Sequence, residues 1–221
     1  MKYKVIEKFT SVNGEGLRSG ELTTFVRFFG CNLRCKFCDS KYTYDNAEQY
    51  EEMTEQEILD YLRSTGIKNV TLAGGEPLHQ PFIKELMQLI CADGFRVEVE
   101  TNGAYNIAQY MDIENRPSFT LDYKTGCSGG MSKFMDLSNY ALVTKHDSVK
   151  FVVGSIEDLD LMRSIVEANK LLEKTNVLVS PCYGDIEPHT IVEYMQQHNL
   201  NGYKMQIQMH KVIWDADKRG V

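Results

Sequence analysis

The chain has 221 residues, enough for one medium domain with a sizeable core, and its 43 % hydrophobic and 25 % charged residues are those of a globular protein. Its 24 basic against 31 acidic residues leave a net charge of −7, which excludes a broad nucleic-acid-binding face but not a small anionic ligand held by one or two arginines. No apolar run exceeds four residues and Met1 to Lys8 lacks a secretory core, so no membrane segment is expected and a reducing cytoplasm is the expected compartment, where six cysteines would not form a disulfide framework.

In chain order, the aromatic and β-branched run Thr23–Phe29 reads as a strand ending at Gly30. Thr54 and Glu57 form a capping box ahead of a helix whose apolar face is Ile58, Leu59, Tyr61 and Leu62, with Gly66 as its stop. Val70–Ala73 is a short buried strand broken by Gly74 and Gly75. Pro81 opens a helix carrying Ile83, Leu86, Met87 and Ile90 and ending at Gly94. Phe95–Thr101, Ser118–Tyr123, Lys150–Val153, Val177–Val179 and Tyr203–Met209 read as strands, with helices over Ile156–Lys174 and from Pro188. Strands alternating with helices predict a mainly parallel sheet with right-handed crossovers. Six or so such units are too few for a closed eight-fold barrel, so the expected architecture is α/β: an open, partial TIM-like barrel forming a single domain over 1–221. Chemistry then belongs beyond the C-terminal ends of the strands, where Cys31, Gly74–Pro77, Asn102–Gly103 and Lys124 fall.

Cys31, Cys35 and Cys38 make a CxxxCxxC loop directly after the first predicted strand. Three soft thiolates in one short loop suit an iron–sulfur cluster or zinc, and the lack of a fourth cysteine or histidine nearby favours a reactive centre with an open position. Arg34 and Lys36 are expected to favour the thiolate form. In Gly74-Gly75-Glu76-Pro77 the glycines allow close approach, their amides suit a carboxylate, and Glu76 suits an ammonium group: a clamp for the amino-acid end of a zwitterion. Other cysteines and histidines have plainer readings. Cys91 is core on an apolar helical face, Cys127 lies in a glycine-rich loop, His189 is at a surface helix start, and His210 is open to either reading.

CxxxCxxC followed by GGEP resembles the radical S-adenosylmethionine superfamily over roughly Thr23 to Val179. The resemblance implies a [4Fe–4S] cluster whose open iron chelates S-adenosylmethionine, giving a 5′-deoxyadenosyl radical on one-electron reduction. The flanking features, Phe9–Gly16, Arg27, Cys38-Asp39-Ser40, His210–Trp214 and Lys218–Val221, extend the similarity to 7-carboxy-7-deazaguanine synthases over nearly the whole chain. That family contracts the ring of 6-carboxy-5,6,7,8-tetrahydropterin to 7-carboxy-7-deazaguanine with release of ammonia, on the way to queuosine and other 7-deazapurines.

By this resemblance Gly75, Glu76, Thr101, Asn102, Asp122, Lys124 and Ser180 contact the cofactor. Arg27 takes the substrate carboxylate, while Val12, Asn13, Gly14, Ala73, His210 and the terminal carboxylate of Val221 line the pterin. Ser40 ligates Mg²⁺. The implied division is a substrate-contacting extension (1–22), a core (23–180) and a closing C-terminal extension (181–221). A flavodoxin or ferredoxin as electron donor and a homodimer are also implied. Two other readings remain on the same loop: an activase of a glycyl-radical enzyme, and a non-catalytic zinc-binding module.

Overall fold

A computed structural model describes residues 1–45 and 50–221. Nine strands form one sheet in the order β3-β1-β2-β4-β5-β6-β7-β8-β9. They are β1 (Lys2–Val12), β2 (Leu22–Phe28), β3 (Glu51–Thr54), β4 (Asn69–Gly74), β5 (Arg96–Thr101), β6 (Ser118–Lys124), β7 (Ser148–Val153), β8 (Asn176–Pro181) and β9 (Tyr203–Met205). The seven strands from β2 to β9, leaving out β3, run parallel, while β1 is antiparallel to both β2 and β3. The sheet does not close, as the sequence predicts, but it gains β1 and β3 on its outer side.

The helices are α1 (Tyr42–Asp45), α2 (Glu55–Thr65), α3 (Ile83–Ala92), α4 (Ile156–Asn169), α5 (Leu171–Lys174), α6 (Pro188–Gln197) and α7 (His210–Ile213). In α2 the expected capping box is present, with Gly66 left-handed (φ 69°) as the C-cap. Helix α3 starts at Ile83 rather than Pro81. Phe82 is left-handed (φ 61°), and its carbonyl accepts the Tyr3 hydroxyl at 2.8 Å. The long helix expected over Ile156–Lys174 breaks at Lys170, whose φ of 50° ends α4 and starts α5.

Side chains alternate across each strand, which sorts the sheet into two faces. On the helix-covered face Val26, Phe28, Leu72, Val99, Phe119, Val149, Phe151, Val177 and Val179 pack in one core with Ile58, Leu62, Leu86, Ile90, Leu159 and Ile191. The other face carries most of the polar and charged strand residues. Its residues include Thr23, Arg27, Thr71, Glu98, Glu100, Thr120, Asp122, Lys124, Lys150 and Ser180. The register places Arg27 beside Ala73, Thr71 beside Glu98, and Asp122 beside Lys150. Strand β9 is shorter than the predicted Tyr203–Met209. Beyond Met205 the Gln206 side chain pairs with the Gly16 backbone in both directions (3.0 and 2.8 Å) and the chain leaves the sheet.

Candidate active site

The cysteine loop begins where β2 ends. Buried Leu33 (2 % exposed) anchors it, the Lys36 amide donates to Ser128 O (3.0 Å) in the loop after β6, and the Cys38 amide closes a turn on Cys35 O (3.2 Å). The Cys31 sulfur accepts from the Leu33 amide (3.4 Å) and faces the Asn102 amide nitrogen (3.8 Å), which also donates to Asn32 Oδ1 (2.8 Å). Burial raises the Cys31 and Cys35 thiols above their ordinary value, and Lys124 is the cation that opposes this at Cys35. Arg34 does not serve the sulfurs as expected: its Nη1 donates to the carbonyls of Cys31 (2.8 Å) and Leu33 (2.7 Å), and its guanidinium lies 4.0 Å over the Tyr44 ring. Among the described residues no three Cys, His, Asp or Glu side chains gather in the manner of a single-ion site. Three cysteines without a convergent fourth ligand do not fit closed tetrahedral zinc. They do fit a cluster, in which each thiolate binds a different iron.

The glycine turn packs directly on this loop. The Gly75 amide donates to Phe28 O (2.9 Å) and the Glu76 amide to Gly30 O (2.8 Å). A Cβ at Gly75 would stand 2.1 Å from Gly30 O. The Gly75 amide is therefore spent on the end of β2, which corrects the expectation that it meets a ligand carboxylate, and the Glu76 amide is spent on the start of the cysteine loop. Glu76 is equally committed. Fully buried, it accepts from Thr101 Oγ1 (2.8 Å), the Asn102 amide (2.7 Å) and the Leu78 amide (3.0 Å). Burial pushes its carboxyl up to about 7 against the pull of those donors. Glu76 thus ties the β4 and β5 ends together, whereas the sequence suggests an open acceptor. Among the described residues the Gly75 carbonyl accepts no hydrogen bond.

Along this face, Lys124 pairs with Asp122 (2.5 Å) and lies 5.5 Å from the Phe37 ring, while Asp122 Oδ1 is buried with no partner among the described residues. Lys150 pairs with Glu15 (2.9 Å), which also accepts from the Ser180 hydroxyl (3.1 Å). Neither Glu15 nor Lys150 is given a role by the sequence reading. A lysine between Val149 and Phe151 and glutamates flanking Val99 were the available signal: charges on one face of strands that are otherwise apolar.

Glu100 faces Lys150, Glu98, Glu15 and Arg27, and burial, outweighing Lys150, pushes its carboxyl up to about 7 from 4.5. A folded-state pKa above the unfolded one means that its contribution to stability is full below pH 4.5 and is lost as pH rises through about 7. Relative to wild type, Glu100→Gln should therefore gain on the order of 2–3 kcal/mol between pH 5 and pH 8 in urea unfolding of the apo-protein. A pH-independent difference between the two proteins would contradict this.

Of the predicted substrate residues, Arg27 and Ala73 are register neighbours on β2 and β4, and Gly14 lies against His210. Arg27 Nη1 donates to Ser40 Oγ (3.5 Å), Nε faces Glu7 (3.7 Å), and the guanidinium lies 5.8 Å from each of the Phe9 and Phe25 rings. Ser40 Oγ donates to Asp39 Oδ1 (2.7 Å). Burial acts to raise the Asp39 carboxyl, but the Ser40 hydroxyl and Arg27 outweigh it and hold the group below its usual range. Two adjacent hard oxygen donors are compatible with Mg²⁺ if substrate oxygens complete its shell. His210 lies against Gly14: a Cβ there would be 3.6 Å from its Nδ1. Burial lowers the His210 pKa, leaving a neutral imidazole at neutral pH. Asn13 is buried and donates to Glu98 (3.0 Å), its Oδ1 without a partner among the described residues, so its amide NH₂ serves the fold. Val12 and Val221 are half-buried and Ala73 is buried.

The model of the radical SAM superfamily matches residues 25–123. The chain is 50 % identical over 222 residues to the 7-carboxy-7-deazaguanine synthase of Clostridium acetobutylicum, covering 100 % of both. It is 35 % identical to that of Leptospira interrogans, covering 100 % of this chain and 99 % of the relative. Of solved structures, QueE from Escherichia coli matches with a TM-score of 0.74 at 22 % identity over 94 % of each chain. SuiB from Streptococcus suis bound to S-adenosylmethionine matches with a TM-score of 0.55 at 17 % identity, over 80 % of this chain and 48 % of that one. At those identities the likeness is one of fold.

Proposed function

The chain belongs to the 7-carboxy-7-deazaguanine synthases of the radical SAM superfamily, and from that premise we propose how its polar face divides the work. Cys31, Cys35 and Cys38 hold three irons of a [4Fe–4S] cluster. When bound, the cluster and S-adenosylmethionine supply hydrogen-atom abstraction by a carbon radical. The Gly75 carbonyl takes the cofactor's ammonium group, with Thr101, Asn102, Asp122, Lys124 and Ser180 along its length. Glu76 acts from beneath, holding Thr101 and Asn102 in place.

The substrate in this reading is 6-carboxy-5,6,7,8-tetrahydropterin, converted to 7-carboxy-7-deazaguanine with loss of ammonia. Arg27 binds its carboxylate, a role that suits a guanidinium lying 5.8 Å from each ring of the stacked pair Phe9 and Phe25. Val12, Gly14, Ala73, His210 and Val221 surround the pterin, Asn13 shapes the floor through Glu98, and Ser40 with Asp39 supports Mg²⁺. Stacked Phe9 and Phe25 (4.9 Å) help exclude water from the Arg27 corner. A flavodoxin- or ferredoxin-type donor, a cytoplasmic location and a homodimer belong to the same proposal. No helix among the described residues is long and apolar enough to cross a membrane.

The observation that carries the reading is the placing of the cysteine loop and Arg27 on one strand, β2 and its continuation, at two sides of the same polar face. Anaerobically reconstituted protein given S-adenosylmethionine, reductant, Mg²⁺ and the carboxypterin should yield 7-carboxy-7-deazaguanine by mass spectrometry; no product overturns the substrate assignment. Arg27→Ala should raise KM by about 100-fold, the loss of a charge-assisted pair, with cofactor cleavage in the absence of substrate still measurable. Arg27→Lys should recover only part, because an ammonium cannot make the bidentate contact. An Arg27→Ala enzyme with wild-type KM would displace the carboxylate from this corner.

A further inference from the structure

Beyond β9 the chain is held by contacts against the segment that follows β1 and against Asp39. Gln206 pairs with Gly16, Gln208 Nε2 reaches Glu15 Oε2 (3.4 Å) and Asp39 Oδ2 (3.5 Å), and Met209 and His210 pack on Gly14. The last contact is the longest in sequence. Arg219 donates from Nε (2.8 Å) and Nη2 (2.6 Å) to Glu7 Oε1, 212 residues away, while its guanidinium lies 3.5 Å over the Tyr42 ring. The other Glu7 oxygen accepts the Tyr42 hydroxyl (2.7 Å) and faces Arg27 Nε (3.7 Å). One carboxylate, its side chain 14 % exposed, thus serves the tail through one oxygen and Arg27 through the other.

We propose that Glu7, Tyr42 and Arg219 are positioning residues: a latch that holds the segment 214–221 against β1 and α1 and links that attachment to the orientation of Arg27. The substrate consequence rests on the reading of Arg27 given above. Among the described residues, the hydrogen bonds between Trp214 and Arg219 are confined to a turn on Asp215, so Arg219 is what ties this segment to the rest of the fold. Glu7 cannot swing toward Arg27 without releasing Arg219, so an ordered tail fixes the Arg27 side chain in advance and lowers the cost of binding a carboxylate there. Arg219 is 47 % exposed, so the latch is open to salt and to solvent and can release for ligand entry.

Hydrogen–deuterium exchange on reconstituted protein reads the latch directly. Arg219→Ala should speed exchange of the 214–221 amides by about tenfold or more, with the sheet strands unchanged. Glu7→Gln should act in the same direction, and Tyr42→Phe serves where either variant fails to fold. In turnover with the carboxypterin, Arg219→Ala should raise KM about tenfold with kcat within about twofold, and Arg219→Lys should recover part of both effects. Unchanged exchange in Arg219→Ala overturns the latch, and unchanged KM overturns its link to Arg27. Should wild type form no product, the substrate reading fails, and exchange alone then decides whether the latch exists.

Discussion

Replacing Cys35 by Ala is expected to leave a folded protein that holds no [4Fe–4S] cluster and cleaves no S-adenosylmethionine. Each thiolate binds its own iron, and among the described residues no three Cys, His, Asp or Glu side chains gather as an alternative metal-binding group. Two thiolates cannot keep a cluster that already leaves one iron without a protein ligand. Burial raises the Cys31 and Cys35 thiols, so assembly must also drive their deprotonation, which makes a partial ligand set weaker still. Anaerobic reconstitution should take up about four irons in wild type and well under one in Cys35→Ala, with cofactor cleavage down by at least about 10³-fold. Cys91→Ala is the contrast. That thiol is buried in the helix-side core, so its removal should cost about 1 kcal/mol of stability and leave iron content intact. A brown, iron-replete Cys35→Ala protein would remove this loop from the cluster.

What was legible in the sequence was whatever is local. The central strands, the capping box of α2 and the Pro188 helix start are each written within a few residues, and so are the cysteine spacing and the glycine pair. Strands β1 and β3 escaped because they are rich in Lys and Glu and have solvent on part of their surface, so their runs Lys2–Val12 and Glu51–Thr54 lack the buried-strand signature. Breaks at Phe82, Lys170 and Met205 escaped for a different reason. The first and last are tied to partners remote in sequence, Tyr3 and Gly16, and no local code announces a left-handed Lys170. The site shows the same division. Cys31 and Gly75 could be picked out by motif, but the destination of the Gly75 and Glu76 amides depends on how β4 meets β2. Glu7 with Arg219 and Glu15 with Lys150 are pairs that only the folded sheet brings together.

Gly75→Ala should be strongly damaging, and the reason is steric. The new Cβ would lie 2.1 Å from Gly30 O, 2.6 Å from Gly30 C and 3.2 Å from Cys31 N. All three are backbone atoms, so no side chain can rotate away, and relief requires the start of the cysteine loop to move. Gly75 has no left-handed backbone, so the dihedral term that usually makes a glycine irreplaceable is absent. Moving the loop loses the Gly75 and Glu76 amide bonds to Phe28 and Gly30, each worth about 1 kcal/mol, on top of an overpacking cost of about 1–3 kcal/mol. For a chain of this size that sum of about 3–5 kcal/mol lowers Tm by roughly 6–15 °C. It also displaces Cys31 and should cut the iron bound on reconstitution. Gly66→Ala separates the two explanations, since Gly66 is left-handed (φ 69°) with nothing within 4 Å of a new Cβ. It carries only the backbone penalty, about 1 kcal/mol, and keeps its iron. If Gly75→Ala matched Gly66→Ala in both Tm and iron content, the close approach of β4 to the cysteine loop would not be what seats the cluster.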